Sequence, residues 1–155
     1  MNWQLTSPAF HSGETIPAEH TCKGADSSPP LTWTEPPDGT AELALICDDP
    51  DAPSGDWVHW VIYGMPAKAR GLPAAIPARE TLSEPVAATQ GANDFRTTGY
   101  RGPCPPPGAP HRYSFRLYAL SEKLGLGPKS TKADLLAAMD SKILAQTELV
   151  GKFSR

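Results

Sequence analysis

The densest chemical signal in the chain is Asp48-Asp49-Pro50-Asp51-Ala52-Pro53, which sets three carboxylates within four positions and holds them with two prolines. Proline locks φ and restricts the residue before it, so Asp49 and Asp51 sit in a stiff turn. A stiff acidic turn serves either as one wall of a binding site or as a set of carboxylates capping their own turn amides. Two histidines stand in strand-like surroundings: His59 inside Trp57-Val-His-Trp-Val-Ile-Tyr63, and His111 at the head of His111-Arg-Tyr-Ser-Phe-Arg-Leu-Tyr-Ala-Leu120. Singly, a core histidine is a packing residue with satisfied ring nitrogens. Brought together with Asp49 and Asp51, the pair would offer imidazole donors to an anion and carboxylates to a cation. The third element is the loop Gly99-Tyr-Arg-Gly-Pro-Cys-Pro-Pro-Pro-Gly-Ala-Pro110. It is too rich in proline for a sheet centre and too constrained for a linker, so it reads as a rigid wall or a rigid surface loop.

Strands must position these residues. Glu42-Leu-Ala-Leu-Ile-Cys-Asp48 is short, apolar and bounded by Gly39 and Pro50, as in a buried strand. The run 57–63 is aromatic and β-branched, ends at Gly64 and Pro66, and by alternation sets Trp57, His59, Val61 and Tyr63 on one face. In 111–120, Tyr113, Phe115, Leu117 and Ala119 alternate with Arg112, Ser114, Arg116 and Tyr118, which puts His111 and Tyr113 where the core face meets the sheet end. Residues 67–108 carry no clear period and are expected to hide short strands around a site-forming loop. One helix is predicted: Thr131 with Asp134 forms a capping signal, followed by the stripe Leu135, Leu136, Met139, Ile143 and Leu144 as core packing. Residues 148–153 read as a short closing strand. No repeat or linker divides residues 1–155, so one domain is expected.

Composition narrows the function classes. Fourteen Lys and Arg against seventeen Asp and Glu give a net charge of −3, which offers no basic field to nucleic acid or an anionic membrane. No apolar run reaches the roughly 18 residues of a membrane span, and the first ten residues lack a signal pattern, so a cytoplasmic protein is expected. Cys22, Cys47 and Cys104 are odd in number, far apart and without C-x-x-C spacing, which predicts three free thiols in a reducing compartment. Proline supplies 18 of 155 residues, more than twice its ordinary share of about 5%, as suits shaped loops on a β scaffold. No nucleophile elbow, Walker loop, dinucleotide fingerprint or H-E-x-x-H signature is present.

In order and spacing, Ser28-Pro29-Pro30-Leu31-Thr32-Trp33, Asp49-Pro50-Asp51-Ala52-Pro53, Trp57-Val58-His59-Trp60 and Gly102-Pro103 through His111-Arg112-Tyr113 resemble the phosphatidylethanolamine-binding protein family. The resemblance runs from about residue 5 to the end and is closest to the bacterial branch described as Raf kinase inhibitor-like. It implies a mainly β fold, with two antiparallel sheets in a sandwich-like arrangement and few short helices. It also implies a small anion pocket lined by Asp49, Asp51, His59, Gly102, Pro103, His111 and Tyr113, with no cofactor and no metal. The implied ligands are phosphate, acetate or phosphoethanolamine-like groups, and the implied partners include a protein kinase and a second copy of the chain. Relative to animal members the chain stops soon after Phe153, which implies a more open pocket rim. Two further readings stand beside this binding or regulatory module. One is a hydrolase with His59 or His111 as base, Asp49 or Asp51 orienting it and Ser114 or Cys104 as nucleophile. The other is a metal held by Asp49, Asp51, His59 and His111.

Overall fold

Runs of aromatic and β-branched residues form the long strands, and the prolines and glycines between them form the turns. The structure is a computed structural model and describes residues 2–155. Its strands are β1 (Leu5–Thr6), β2 (Leu31–Trp33), β3 (Glu42–Asp49), β4 (Trp57–Pro66), β5 (Gly71–Leu72), β6 (Thr81–Leu82), β7 (Ala88–Gln90), β8 (His111–Leu120) and β9 (Ile143–Phe153), with one α-helix among the described residues, α1 (Lys132–Met139), before β9 and a single 3-10 turn at Ala18–His20. They form two sheets, β1-β2-β5 and β6-β7-β4-β3-β8-β9, and every pairing is antiparallel. The fold is mainly β with two antiparallel sheets and one short helix, as expected.

The large sheet is covered on both faces. Between the sheets, Trp3, Leu31 and Trp33 pack in one core with Leu43, Leu45, Trp60, Phe115 and Leu117. On the far face Ala44, Ile46, Val61, Tyr63 and Leu120 pack with Leu135 and Met139 of α1. Strand β3 lies in the middle and is buried at all eight positions, which is why Leu43 to Cys47 form a continuous apolar run rather than an alternation.

Four expectations need correction. The alternation along β4 breaks at a bulge, where pairing steps from Cys47↔Trp60 to Asp48↔Val58. His59 and Trp60 therefore both turn toward the inter-sheet side, while Val61 and Tyr63 join the core under the helix; a one-residue insertion inverts the faces on either side of it. The helical stripe ends at Met139. Leu135 and Met139 are buried, but Leu136 is exposed, and Ile143 and Leu144 lie exposed at the start of β9. Asp140 caps the helix, Ser141 takes a φ of 62°, and the chain turns back into pairing with β8. The closing strand is consequently longer than residues 148–153. Finally, Cys22 and Cys104 are joined in a disulfide, with Cα atoms 5.4 Å apart across a sequence separation of 82 residues, and only Cys47 is free and buried. Local spacing does not reveal a pairing made by tertiary contact. Since disulfides persist mainly in oxidising compartments, the cysteines no longer argue for a reducing one. No helix among the described residues is long and apolar enough to cross a membrane.

Within residues 67–108 the expected short strands are β5, β6 and β7. Gln90 of β7 organises the rest: its carboxamide accepts from Trp60 Nε1 at 2.8 Å and donates to the carbonyls of Pro77 and Arg79 at 2.7 and 2.8 Å. The capping box of α1 forms as predicted, with Thr131 Oγ1 accepting from Asp134 N and Asp134 Oδ2 accepting from Thr131 N. The helix is held to the sheet by Lys132, whose Nζ lies 2.6 Å from both Asp48 Oδ2 and Asp56 Oδ2. Asp48 is fully buried, and its Oδ1 has no hydrogen-bond partner among the described residues. Burial pushes this carboxyl up against the opposing pull of Lys132 and Arg116.

Removing the partner of a buried charge costs more than the pair contributed. Lys132→Ala is expected to lower unfolding free energy by about 3 kcal/mol in urea titration followed by tryptophan fluorescence. Asp56→Ala, at the exposed end of the same bridge, is expected to cost under about 1 kcal/mol. Equal costs would assign Lys132 a surface role only.

Candidate functional site

The pleat of β3 sends its last two residues to opposite faces: Asp48 to the helix side and Asp49 to the inter-sheet side, at the end of the sheet. Asp49 is 3% exposed. Its Oδ1 accepts from the amide of Asp51 at 2.8 Å, which closes the Asp-Pro-Asp turn, and its Oδ2 accepts from His111 Nδ1 at 2.7 Å. Asp51 points the other way. Its carboxylate accepts from Arg112 N, Nε and Nη2 at 2.8, 2.9 and 2.8 Å, and the Arg112 side chain holds its carboxyl down at about 2. The two aspartates thus clamp the 49–53 turn onto the first two residues of β8, and that clamp orients the His111 ring.

His59 enters from the β4 bulge. Its Nδ1 donates to the Arg101 carbonyl at 2.6 Å, which fixes the ring and leaves Nε2 as the free nitrogen. Tyr113 and Phe95 meet this ring edge-on, with centroids 5.2 and 5.4 Å away. Burial pushes the His59 pKa below its ordinary value, against the Arg101 carbonyl and the charges of Asp49, Asp26 and Asp94. Burial, and then the charge of Asp49, push the Tyr113 hydroxyl up, so it stays protonated and able to donate.

These side chains surround a cavity of about 240 Å³ lined by Asp49, His59, His111 and Tyr113 together with Ala52, Pro53, Ser54, Trp57, Phe95, Cys104, Pro105 and Pro106. Four of the seven residues nominated from sequence therefore face one space. Asp51, Gly102 and Pro103 stand behind it. Gly102 donates its amide to Asp26 Oδ1 at 2.9 Å, and Pro103 accepts from Cys22 N at 3.1 Å. A Cβ on Gly102 would lie 2.2 Å from the His20 carbonyl oxygen, so the glycine is there for close backbone approach and lets the proline-rich wall seat against residues 20–26.

Sequence reasoning passed over Phe95 and gave Trp57 only a place on a strand face. The two rings form an edge-to-face pair at 5.5 Å. Phe95 is presented by a turn built on Asn93, whose Oδ1 accepts from the amides of Phe95 and Thr97 at 3.0 and 3.1 Å and whose Nδ2 donates to the Gly99 carbonyl at 2.9 Å. The usable signal was Asn93 two residues before Phe95, an Asx-turn spacing inside an otherwise unreadable segment.

Both nucleophiles weighed for hydrolysis are committed elsewhere. Cys104 is in the disulfide, and Ser114 donates its hydroxyl to Glu148 on the other face of β8. Among the described residues, no group of three or more His, Cys, Asp or Glu is arranged to hold a metal ion.

A profile of the phosphatidylethanolamine-binding protein family matches residues 6–154. A UPF0098 protein of Methanothermobacter thermautotrophicus is 48% identical over 151 residues, covering 97% of this chain and 98% of that one. Another, from Aquifex aeolicus, is 44% identical over 154 residues, covering 98% and 88%. Among solved structures, Escherichia coli YbcL, described as a new member of the mammalian PEBP family, superposes with a TM-score of 0.91 at 33% identity over 100% of this chain and 99% of its own. A putative phosphatidylethanolamine-binding protein homolog from Chlamydia trachomatis gives 0.89 at 38% identity over 99% and 97%. The profile match across nearly the whole chain, with relatives this similar over most of their own lengths, means that the chain belongs to the phosphatidylethanolamine-binding protein family.

Proposed function

We propose that the cavity at the end of the large sheet binds a small anion of the phosphoryl-headgroup class. One observation carries this reading: His59 and His111, from different strands, line the same small cavity, and each has its Nδ1 occupied by an acceptor from the protein. Both rings are thereby fixed in tautomer and direction. Each Nε2 remains to serve a ligand, as a donor once the ring is charged, and the Tyr113 hydroxyl supplies a donor that needs no added proton. The volume is below the roughly 300–1,000 Å³ of drug-sized pockets and suits a small polyatomic anion. Asp49 stands beside His111 in the same cavity, so a zwitterion such as O-phosphoethanolamine would find anion donors and a carboxylate for its ammonium together.

Two outcomes follow. In an NMR titration with O-phosphoethanolamine, the His59 and His111 ring signals are expected to shift saturably while those of His11 and His20 stay still. His111→Ala should weaken binding by roughly tenfold or more, as for loss of one charge-assisted hydrogen bond of about 1.5–3 kcal/mol. If neither ring responds at millimolar ligand, the assigned ligand class is wrong. The second outcome concerns protons. His59 is pushed below its ordinary value of 6.5, so the free protein holds it neutral at pH 7, whereas a bound anion favours its charged form. Affinity for sulfate, which does not titrate in this range, should therefore rise as pH falls from 8 toward 5. Calorimetry in buffers of different ionisation enthalpy should show proton uptake on binding. Affinity flat across that range would place His59 outside the anion contact.

A further inference from the structure

The cavity has two kinds of boundary. His59, His111, Tyr113 and Asp49 stand on strands of the large sheet, whereas Cys104, Pro105 and Pro106 stand on a segment with no regular structure. Four of the seven residues from Cys104 to Pro110 are prolines without an amide proton. Among the described residues, that stretch makes no backbone-to-backbone hydrogen bond; its one polar tie is Arg155 Nε donating to the Pro105 carbonyl at 2.5 Å. Upstream, Gly102 and Pro103 are fastened to Asp26 and Cys22 by hydrogen bonds. The covalent fastening of the cavity-lining part is the Cys22–Cys104 bond, and both of its cysteines are exposed. Accessible disulfides are the ones open to thiol exchange.

We propose that the Cys22–Cys104 disulfide is a thiol-exchange site that sets the ligand affinity of the adjoining cavity, an inference that rests on the anion-binding reading above. The reactant is a dithiol reductant. One of its thiolates attacks Cys22 Sγ, the Sγ–Sγ bond breaks and Cys104 leaves as a thiolate that takes a proton. The second thiol of the reductant then displaces Cys22, the reductant closes into its own disulfide, and two electrons have passed to the protein as two cysteine thiols. The strands and their histidines stay in place. The wall from Cys104 to Pro106 gains freedom, and a ligand must then meet the entropy of ordering it.

The test is the O-phosphoethanolamine titration repeated on oxidised protein, on protein reduced with dithiothreitol, and on the double variant Cys22→Ser/Cys104→Ser, with backbone amide spectra recorded for each. The expected result is roughly tenfold weaker binding in the reduced protein, the same weaker affinity in the double variant with or without reductant, and unchanged amide signals for β3, β4 and β8. Equal affinities in oxidised and reduced protein would overturn the exchange site while leaving the binding reading intact. Failure of the oxidised protein to bind at all would overturn the binding reading, and the exchange site with it. Collapse of the strand signals on reduction, or a disulfide that resists millimolar dithiothreitol without denaturant, would also overturn it, since the bond would then be a staple of the whole fold.

Discussion

A strand buried on both faces must dispose of any charge at its end, and β3 ends in two successive aspartates. Because neighbouring residues of a strand face opposite ways, Asp48 emerges toward α1 and Asp49 toward the space between the sheets. Neither can stay unpartnered at low cost. Asp48 draws in Lys132 from the helix and Arg116 from β8, and Asp49 draws in His111 and the amide of Asp51. One side of the strand thus fixes where the helix docks. The other fixes the turn, the first residues of β8 and the His111 ring that lines the cavity.

The same economy of position governs the opposite side of the cavity. The β4 bulge costs one ladder position and rotates His59 into the inter-sheet space beside Trp60. There its Nδ1 meets the Arg101 carbonyl, so the bulge also ties the irregular wall to the sheet. The wall is shaped by prolines, fastened by Gly102 against residues 20–26 and closed by the disulfide. A stiff floor of strand residues and a separately fastened wall suit a site that presents polar atoms at fixed positions.

Much of the architecture was legible from residue order alone. The strands β3, β4 and β8 and the cap of α1 follow from periodicity and turn chemistry, which act over a few residues, whereas the short strands within 67–108 were expected only because a segment that long rarely lacks structure inside a domain. The acidic turn, both histidines and Tyr113 were nominated because their types and strand contexts are readable one by one. Asp51 and Gly102 were nominated with them, yet the structure gives them supporting places: Asp51 is neutralised by Arg112, and Gly102 is spent on backbone approach. Phe95 was missed because its presenting turn has no hydrophobic period.

By itself the sequence determined the central strands β3, β4 and β8, the start of α1 and the acidic and histidine side chains suited to hold an anion, since those properties depend on local sterics, burial pattern and side-chain chemistry. Tertiary structure alone decided the rest. A bulge, invisible in composition, chose which way His59 faces. Strand pairing overrode the helical period that ran on through Ile143 and Leu144. A pairing across 82 residues joined Cys22 to Cys104, because proximity between distant positions is created by how sheets stack and loops close, and no local pattern encodes it.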